Sequence, residues 1–190
     1  MDAPTRHRIF AAARAQFDEA GASAVSMRKV AAAVGITPMA IYRHYPDKDA
    51  LLDALMLDGM AAWEARARAI DAVEPLEWLE RFAFAFMDFA LCEPRRYEAA
   101  FLMPASRARR YPEDFLAGRS PAINLAYERI ERAKVQGLIG DAPTEEIVLT
   151  LSALAQGLVS MHQAGRFTSE AEFREAYRSA IRRWIASFKA

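Results

Sequence analysis

The sequence is poor in the residues from which disulfide and metal sites are built. It contains one cysteine, Cys92, and three histidines among 190 residues. A single cysteine excludes an intramolecular disulfide and a multi-cysteine metal site, and it favours a reducing compartment. The neighbours of Cys92 are apolar, so we expect a buried, inert thiol. Because His7, His44 and His162 are far apart in the sequence, we predict no metal site and no cofactor.

Motifs of the common enzyme classes are also missing. The sequence contains no HExxH, no glycine loop of the kind that holds phosphates, and no nucleophile paired with a base. It also lacks paired carboxylates at helical spacing with a histidine. We therefore predict that the chain is not an enzyme.

Neither a leader nor a membrane span is predicted. The first residues, MDAPTRHRIF, lack an apolar segment followed by a cleavage site of small residues. The longest uncharged run, residues 147–165, contains the polar residues Thr150, Ser152, Gln156, Ser160, His162 and Gln163. This composition favours a buried helix over a membrane span. We expect a cytoplasmic protein with no membrane partner.

The formal net charge is zero, with 25 basic and 25 acidic residues, which by itself argues against a nucleic-acid partner. The charge is unevenly distributed, however. Residues 1–48 contain seven Lys and Arg against four Asp and Glu, whereas residues 49–190 contain 18 against 21. A small basic segment therefore precedes a mildly acidic one.

Apolar residues recur at three- and four-residue steps along nearly the whole chain, which is typical of amphipathic helices. Glycine and proline breaks divide this pattern into about nine predicted helices. They cover residues 5–20, 27–33, 38–44, 47–70, 76–92, 95–103, 114–137, 144–164 and 169–188. We predict an all-α fold with two domains: a head of three short helices (residues 1–48) and a body of longer helices (residues 49–190).

Two helix starts lie close together in the head. Ser26 is suited to cap one helix, and Thr37 is suited to cap the next, with Pro38 at the favoured first position. Gly35 lies between them, where the first helix has to end in a left-handed residue. This arrangement is typical of a helix-turn-helix whose second helix faces outward.

The segments IFAAARAQFDEAG and VSMRKVAAAVGITPMAIYRHYPDKDALL, within about residues 6 to 52, resemble the DNA-binding region of the TetR family of bacterial transcriptional repressors. The resemblance implies a three-helix head followed by a helical ligand-binding and dimerisation body. It also implies three partners: a double-stranded DNA operator, a small-molecule effector and a second copy of the chain. Beyond residue 52 only the architecture is similar.

The resemblance also implies which residues contact DNA. Ser26 and Arg28 would face the DNA from the supporting helix. The groove side of the recognition helix would consist of Thr37, Pro38, Met39 and Arg43, and phosphates would be held by Tyr42, His44 and Lys48. Hydroxyl, phenol and ammonium groups donate to phosphate oxygens. Many family members have glycine in place of Met39, whose thioether favours contact with a thymine methyl group.

Other residues of the head have simpler interpretations. We expect Tyr45 to pack back onto the first and fourth helices. The arginines Arg6, Arg8 and Arg14 of the first helix are expected to form a solvated face, although Arg6 or Arg8 could reach a neighbouring phosphate.

The segment WLERFAFAFMDFALC, residues 78–92, is apolar on almost every side after Arg81, so it must be enclosed. Most of it is expected to be core. The aromatic residues of this segment that are not needed for the core predict a pocket for an apolar or aromatic molecule. Methionines from other helices would help to line it, because their flexible side chains suit irregular ligands. We assign to this pocket Met60, Trp63, Phe82, Phe86, Asp88, Phe89, Met103, Met161 and His162. Asp88 would be costly to bury alone, so it reaches the surface, bonds to His162 or meets a cationic ligand.

Apolar stripes on the last two predicted helices favour a dimer. They consist of Leu151, Leu154 and Leu158 on one helix and Tyr177, Ile181 and Trp184 on the other. Part of each stripe has to pack within its own chain, and the remainder is expected to form a four-helix interface between two copies. A dimer also suits DNA, because two recognition helices about 34 to 36 Å apart match a palindrome.

These features predict a repressor that binds its operator as a dimer and is released by a small, mostly apolar ligand. One alternative is an all-α ligand carrier or enzyme in which the N-terminal helices only pack. Another is a family member that has lost DNA binding and acts through protein partners. The presence of Tyr42 and Lys48 in register argues against the second alternative.

Overall fold

The computed structural model describes residues 3–189 and confirms the all-α prediction. Ten α-helices are present in this range: α1 (Ala3–Ala20), α2 (Met27–Val34), α3 (Pro38–Ile41), α4 (Lys48–Arg68), α5 (Pro75–Cys92), α6 (Pro94–Tyr97), α7 (Glu113–Leu116), α8 (Pro121–Val135), α9 (Thr144–Gln163) and α10 (Glu170–Ala186). A π-helical segment, Glu98–Leu102, follows α6 directly. The described range contains no β-strand, and one isolated bridge pairs Ile139 with Lys189.

Three of the predicted helices differ in the structure. The helix predicted over residues 114–137 is two helices, because Gly118 has a φ of 68° and Pro121 then begins α8. Such a left-handed residue ends a helix, and proline is favoured at the first position of the next. The segment predicted over residues 95–103 is divided between α6 and the π-helical segment. The third helix ends at Ile41, and turns rather than helix cover residues 42–44.

The chain packs as two compact units. The first unit comprises Met1–Ala62 and Glu93–Ala108, and the second comprises Trp63–Cys92 and Arg109–Ala190. The predicted head therefore lies in the first unit together with most of α4, α6 and the π-helical segment. A functional boundary at residue 48 stays a prediction.

The first unit has a core that joins α1 to α2, α3 and α4. Ile9, Ala13 and Phe17 of α1 are buried, and they belong to one cluster with Val30, Ile41, Tyr45, Leu51 and Leu55. Tyr45 is thus a packing residue, as expected. Because α1, α2 and α3 share this core, they are held together as one piece.

The core of the second unit lies among α5, α8, α9 and α10, which pack pairwise. α10 buries Phe173, Tyr177, Ile181 and Ile185, at helical spacing. The Tyr177 hydroxyl donates to the backbone oxygen of Ala83 on α5, at 2.8 Å. Cys92 is exposed, so the prediction of a buried thiol is wrong. It is the last residue of α5, where the enclosed part of that helix ends.

Among the described residues, no helix is long and apolar enough to cross a membrane.

Candidate functional site

The helix-turn-helix forms from the local signals that predict it. The Ser26 hydroxyl accepts from the backbone N–H of Lys29 at 3.5 Å, and the Thr37 hydroxyl accepts from that of Ala40 at 3.2 Å. Gly35 has a φ of 73°, which ends α2 in the left-handed conformation. Both predicted caps and the glycine turn are therefore confirmed.

The short helix α3 faces outward. Ile41 is its only buried residue, whereas Met39 is 74% exposed and Thr37, Pro38, Tyr42 and Arg43 are also exposed. A helix that only packed against its neighbours would bury more than one side chain. The polar and aromatic groups that flank α3 on Thr37, Tyr42 and Arg43 are therefore available to a partner.

The remaining predicted DNA contacts lie at the ends of α2, α3 and α4. Arg28 is exposed, and Ser26, His44 and Lys48 are half-buried. Lys48 is the first residue of α4, whose N-terminus is capped by Asp47: its carboxylate accepts from the backbone N–H of Ala50 at 2.7 Å. Helix N-termini of this kind attract anions such as phosphate.

Two arginines of α1 stabilise the helix-turn-helix from behind. Arg8 donates to the carbonyl of Val34 at 2.5 Å, at the C-terminus of α2. Arg6 lies over the ring of Tyr45, 4.7 Å from its centroid, and donates to the carbonyl of His44 at 3.5 Å. Arg6 and Arg8 are exposed, as expected, whereas the side chain of Arg14 is only 16% exposed, so a solvated face is wrong for Arg14. The sequence did not indicate the bonds of Arg8 and Arg6, because the partners are 26 and 38 residues apart.

Four residues of the predicted ligand pocket meet in the second unit. Trp63 contacts the rings of Phe82, Phe86 and Phe89, with centroids 5.0, 5.2 and 6.0 Å away. We call these four residues the aromatic cluster. Trp78 stacks on Phe82 at 5.0 Å and places its ring 5.3 Å from the guanidinium of Arg129.

The other predicted pocket residues are divided between the two units. Met60 and Met103 belong to the first unit. Met161 is 48% exposed, so its side chain does not line an enclosed cavity within the protomer. His162 stacks on Phe173, with centroids 4.3 Å apart.

Asp88 pairs with Arg174 at 2.6 Å, and its side chain is 44% exposed. Of the three alternatives for Asp88, it therefore reaches the surface. It makes no hydrogen bond with His162 in the structure, and the ion pair removes the reason to expect a cationic ligand there.

The residues of the predicted dimer stripes differ in exposure. Leu151, Tyr177 and Ile181 are buried inside the protomer, so their side chains offer no surface to a second copy. Leu154, Leu158 and Trp184 are half-buried. The surface stripe of α9 is instead formed by residues four apart, all of them exposed: Leu149, Ala153, Gly157 and Met161.

One buried acid of the first unit was not predicted. Asp53 of α4 is 5% exposed and accepts from the Ser106 hydroxyl at 2.6 Å and from the Arg107 backbone N–H at 3.2 Å. Within residues 3–189, no group of three or more His, Cys, Asp or Glu side chains is placed to hold a metal ion.

The chain is similar to known regulators over both of its predicted domains. Residues 9–55 match the family described as bacterial regulatory proteins, tetR family, and residues 79–184 match the tetracyclin repressor-like C-terminal domain. The HTH-type transcriptional regulator UidR of Escherichia coli (strain K12) is 38% identical over 74 residues. That match covers 39% of this chain and 35% of the length of UidR.

Solved structures share the fold over nearly the full length. A protein of unknown function from Rhodococcus sp. RHA1 has a TM-score of 0.79 at 23% identity, covering 98% of this chain and 96% of that one. A TetR protein from Acinetobacter baumannii AYE, solved in complex with minocycline, has a TM-score of 0.65 at 21% identity, with 98% and 96% covered. The sequence matches and the helix-turn-helix geometry agree: this chain belongs to the TetR family of bacterial regulatory proteins.

Proposed function

We propose that the chain is a repressor that binds a palindromic operator as a homodimer and releases it when a small, mostly apolar ligand occupies the body. Residues 1–48 are the DNA-binding domain and residues 49–190 the ligand-binding and dimerisation domain. The supporting observation is that α3 buries only Ile41, whereas Pro38 and Met39 and the flanking Thr37, Tyr42 and Arg43 are exposed. In a carrier or an enzyme whose N-terminal helices only pack, this surface would have no role.

Within the DNA-binding domain, the contacts divide by chemistry. Lys48 is a phosphate contact, because its ammonium group is at the capped start of α4. Met39 and Arg43 are base contacts, because both are exposed on the outward side of α3 and its following turn. Loss of a phosphate contact weakens binding to all sequences alike, whereas loss of a base contact changes the preferred sequence.

The test is to let the purified protein select duplexes from a random library. The palindrome recovered in this way is then titrated with protein at several salt concentrations. We expect half-sites about 10 base pairs apart, or a multiple of that spacing. Lys48→Ala should weaken binding to the palindrome and to random duplex, and it should reduce the salt slope by about one to two in the dimer. Arg43→Ala should change the bases recovered.

Lys189→Ala is the matched control, because it removes the same charge from an exposed site in the second unit. It should leave the salt slope unchanged. If the ligand-free wild-type protein binds no duplex in a salt-dependent manner, the proposed function is wrong.

The dimer is supported by the exposed stripe of Leu149, Ala153, Gly157 and Met161 on α9. Leu149 and Met161, at the two ends of this stripe, are 41% and 48% exposed. Ala153 and Gly157 are small, and a carbon atom added at Gly157 would have no neighbour within 4 Å in the protomer. A second copy can therefore approach this face of α9 closely and cover its apolar side chains.

The ligand site is supported by the aromatic cluster, whose rings are the kind of surface that binds apolar molecules. Release requires that the ligand bind the DNA-free conformation more tightly than the operator-bound one. By linkage, ligand and operator must weaken each other's binding by the same factor. Operator titrations with and without ligand, and ligand titrations with and without operator, measure both factors.

A further inference from the structure

A single carboxylate in the first unit connects three helices. Asp58 of α4 forms ion pairs with Arg14 of α1 and with Arg96 of α6, both through Oδ2. The Arg96 Nε is 3.2 Å from that oxygen, and a second nitrogen of Arg96 donates to Glu93 at 2.6 Å. The partners of Asp58 are 44 and 38 residues away in the sequence.

These ion pairs are partly removed from solvent. The side chains of Arg14 and Asp58 are 16% and 32% exposed, so salt and water screen their attraction less than they would screen a surface pair. The Arg14 Nε is buried and has no hydrogen-bond partner. If Asp58 lost its charge, the largely buried guanidinium of Arg14 would lose its carboxylate, which is more costly than breaking an exposed pair.

A second arginine joins α6 to the end of α1. Arg95 donates to the carbonyls of Asp18 and Glu19, at 3.1 and 3.5 Å, and pairs with Glu98 at 2.7 Å. The last carbonyls of a helix have no partner within the helix, and a cation there is favoured by the helix dipole. The C-terminus of α1 is therefore capped by a side chain from α6, 77 residues along the chain.

The backbone of α6 is also held tightly against α4. A carbon atom added at Gly59 would lie 2.6 Å from the carbonyl oxygen of Arg96. The helices therefore cross at a distance that only glycine permits. Because Gly59 is next to Asp58 in α4, the ion pairs with Asp58 form where α6 already has little freedom to shift.

We propose that Asp58 is a positioning residue for DNA binding, which fixes α1, and with it α2 and α3, against α4 and α6. This inference rests on the function proposed above. Since α1, α2 and α3 share one core, a rotation of α1 changes the direction of the recognition helix. A palindrome requires both recognition helices of the dimer at a fixed spacing, whereas an isolated half-site requires only one.

The test compares binding to the selected palindrome with binding to a duplex that contains one half-site. In Asp58→Asn, which keeps the shape of the side chain and removes its charge, the ratio of the two affinities should fall about tenfold, equivalent to about 1.4 kcal/mol. Partial unfolding or a changed net charge would alter both affinities alike and leave the ratio unchanged. The ratio therefore separates positioning from a merely structural role.

Glu64→Gln is the matched control, because Glu64 lies on the same helix and pairs with Arg68 at the surface, at 2.8 Å. It should leave the ratio within about twofold of the wild type. Should Asp58→Asn not give a folded dimer, Arg96→Gln removes the ion pairs of Arg96 with Asp58 and Glu93 and keeps the pair of Asp58 with Arg14. It should lower the ratio about threefold.

Three outcomes are decisive. A lowered ratio in Asp58→Asn or Arg96→Gln, with an unchanged ratio in Glu64→Gln, supports the inference. An unchanged ratio in folded dimers of both Asp58 and Arg96 variants overturns it, while leaving the repressor function intact. Absence of wild-type binding to either duplex overturns the proposed function and this inference together.

Discussion

Replacing Gly59 with alanine tests how closely α4 and α6 cross. In an exposed helix this substitution stabilises a protein by about 1 kcal/mol, because glycine loses more backbone freedom on folding. At Gly59, however, the added carbon would lie 2.6 Å from the Arg96 carbonyl oxygen, 3.1 Å from the Ala100 Cβ and 3.3 Å from the Ala100 nitrogen.

The size of the effect follows from those distances. Ordinary contact begins at 3.4 Å, so the backbone of α6 would have to retreat by 0.8 Å at Arg96. Two of the three atoms met are backbone atoms, which cannot turn away as a flexible side chain can. Overpacking of this kind costs about 1 to 3 kcal/mol, and we expect the upper end. After subtracting the gain in helix propensity, the net loss is about 2 kcal/mol.

The assay is thermal unfolding at a fixed protomer concentration, because dimerisation makes Tm depend on concentration. For a chain of this size, a loss of about 2 kcal/mol lowers Tm by about 4 to 8 °C. Gly140→Ala is the control, since a carbon added at that exposed position has no neighbour within 4 Å. Because alanine restricts the unfolded chain, this control should leave Tm unchanged or raise it slightly.

The reasoning is refuted if Gly59→Ala unfolds at or above the wild-type temperature. In that case α6 can move away from α4 at no cost. The tight crossing would then give no support to the role of Asp58.

Further predictions concern pH, assembly and ligand response. Burial raises the pKa of Tyr97 from 10.0 to about 12. The folded state therefore retains the phenol proton to higher pH than the unfolded state. The Tyr97 contribution to the free energy of unfolding should be undiminished below pH 10 and fall by up to about 3 kcal/mol toward pH 12. In denaturant titrations across that range, the slope should be smaller in Tyr97→Phe than in the wild type, and the remaining slope includes Tyr127, whose pKa burial also raises. Leu149→Glu should produce monomers in sedimentation, because it places a charge in the proposed interface. Val135→Glu, at a site 88% exposed on α8, should remain dimeric. A dimeric Leu149→Glu variant would contradict the proposed interface. Phe86→Leu should alter the ligand concentration needed to release the operator and leave the operator affinity of the ligand-free protein unchanged. If Phe86→Leu and Phe89→Leu both respond to the ligand as the wild type does, the ligand binds elsewhere.

The sequence predicted the helix-turn-helix well because its signals are local. Ser26 and Thr37 cap helices through hydrogen bonds to residues three positions ahead, and Gly35 supplies a backbone conformation that needs no distant partner. The break between α7 and α8 was equally local. Gly118 and Pro121 marked it, but the apolar pattern continues through both helices and favoured a single one.

The faces of α9 could not be predicted in the same way. Leu151, Leu154 and Leu158 form an apolar helical stripe, and Leu149 and Met161 belong to a neighbouring one. Periodicity does not distinguish a stripe that packs inside the protomer from one that stays exposed. In the fold, α9 packs against α5, α8 and α10, with Leu151 buried and Leu149 exposed.

The sequence by itself determined the all-α class and the caps and turn of the helix-turn-helix. It also determined the resemblance of this motif to the TetR family. All of these depend on residues within a few helical turns of one another. Only the tertiary structure decided which charges meet. Arg8 contacts Val34, and Asp58 contacts Arg14 and Arg96, across separations of 26 to 44 residues. No short pattern encodes such pairs, because an arginine can reach any carbonyl or carboxylate that the fold brings near it. The choice among them is made by the packing of the apolar cores, which set the positions of the helices before any of these side chains can pair.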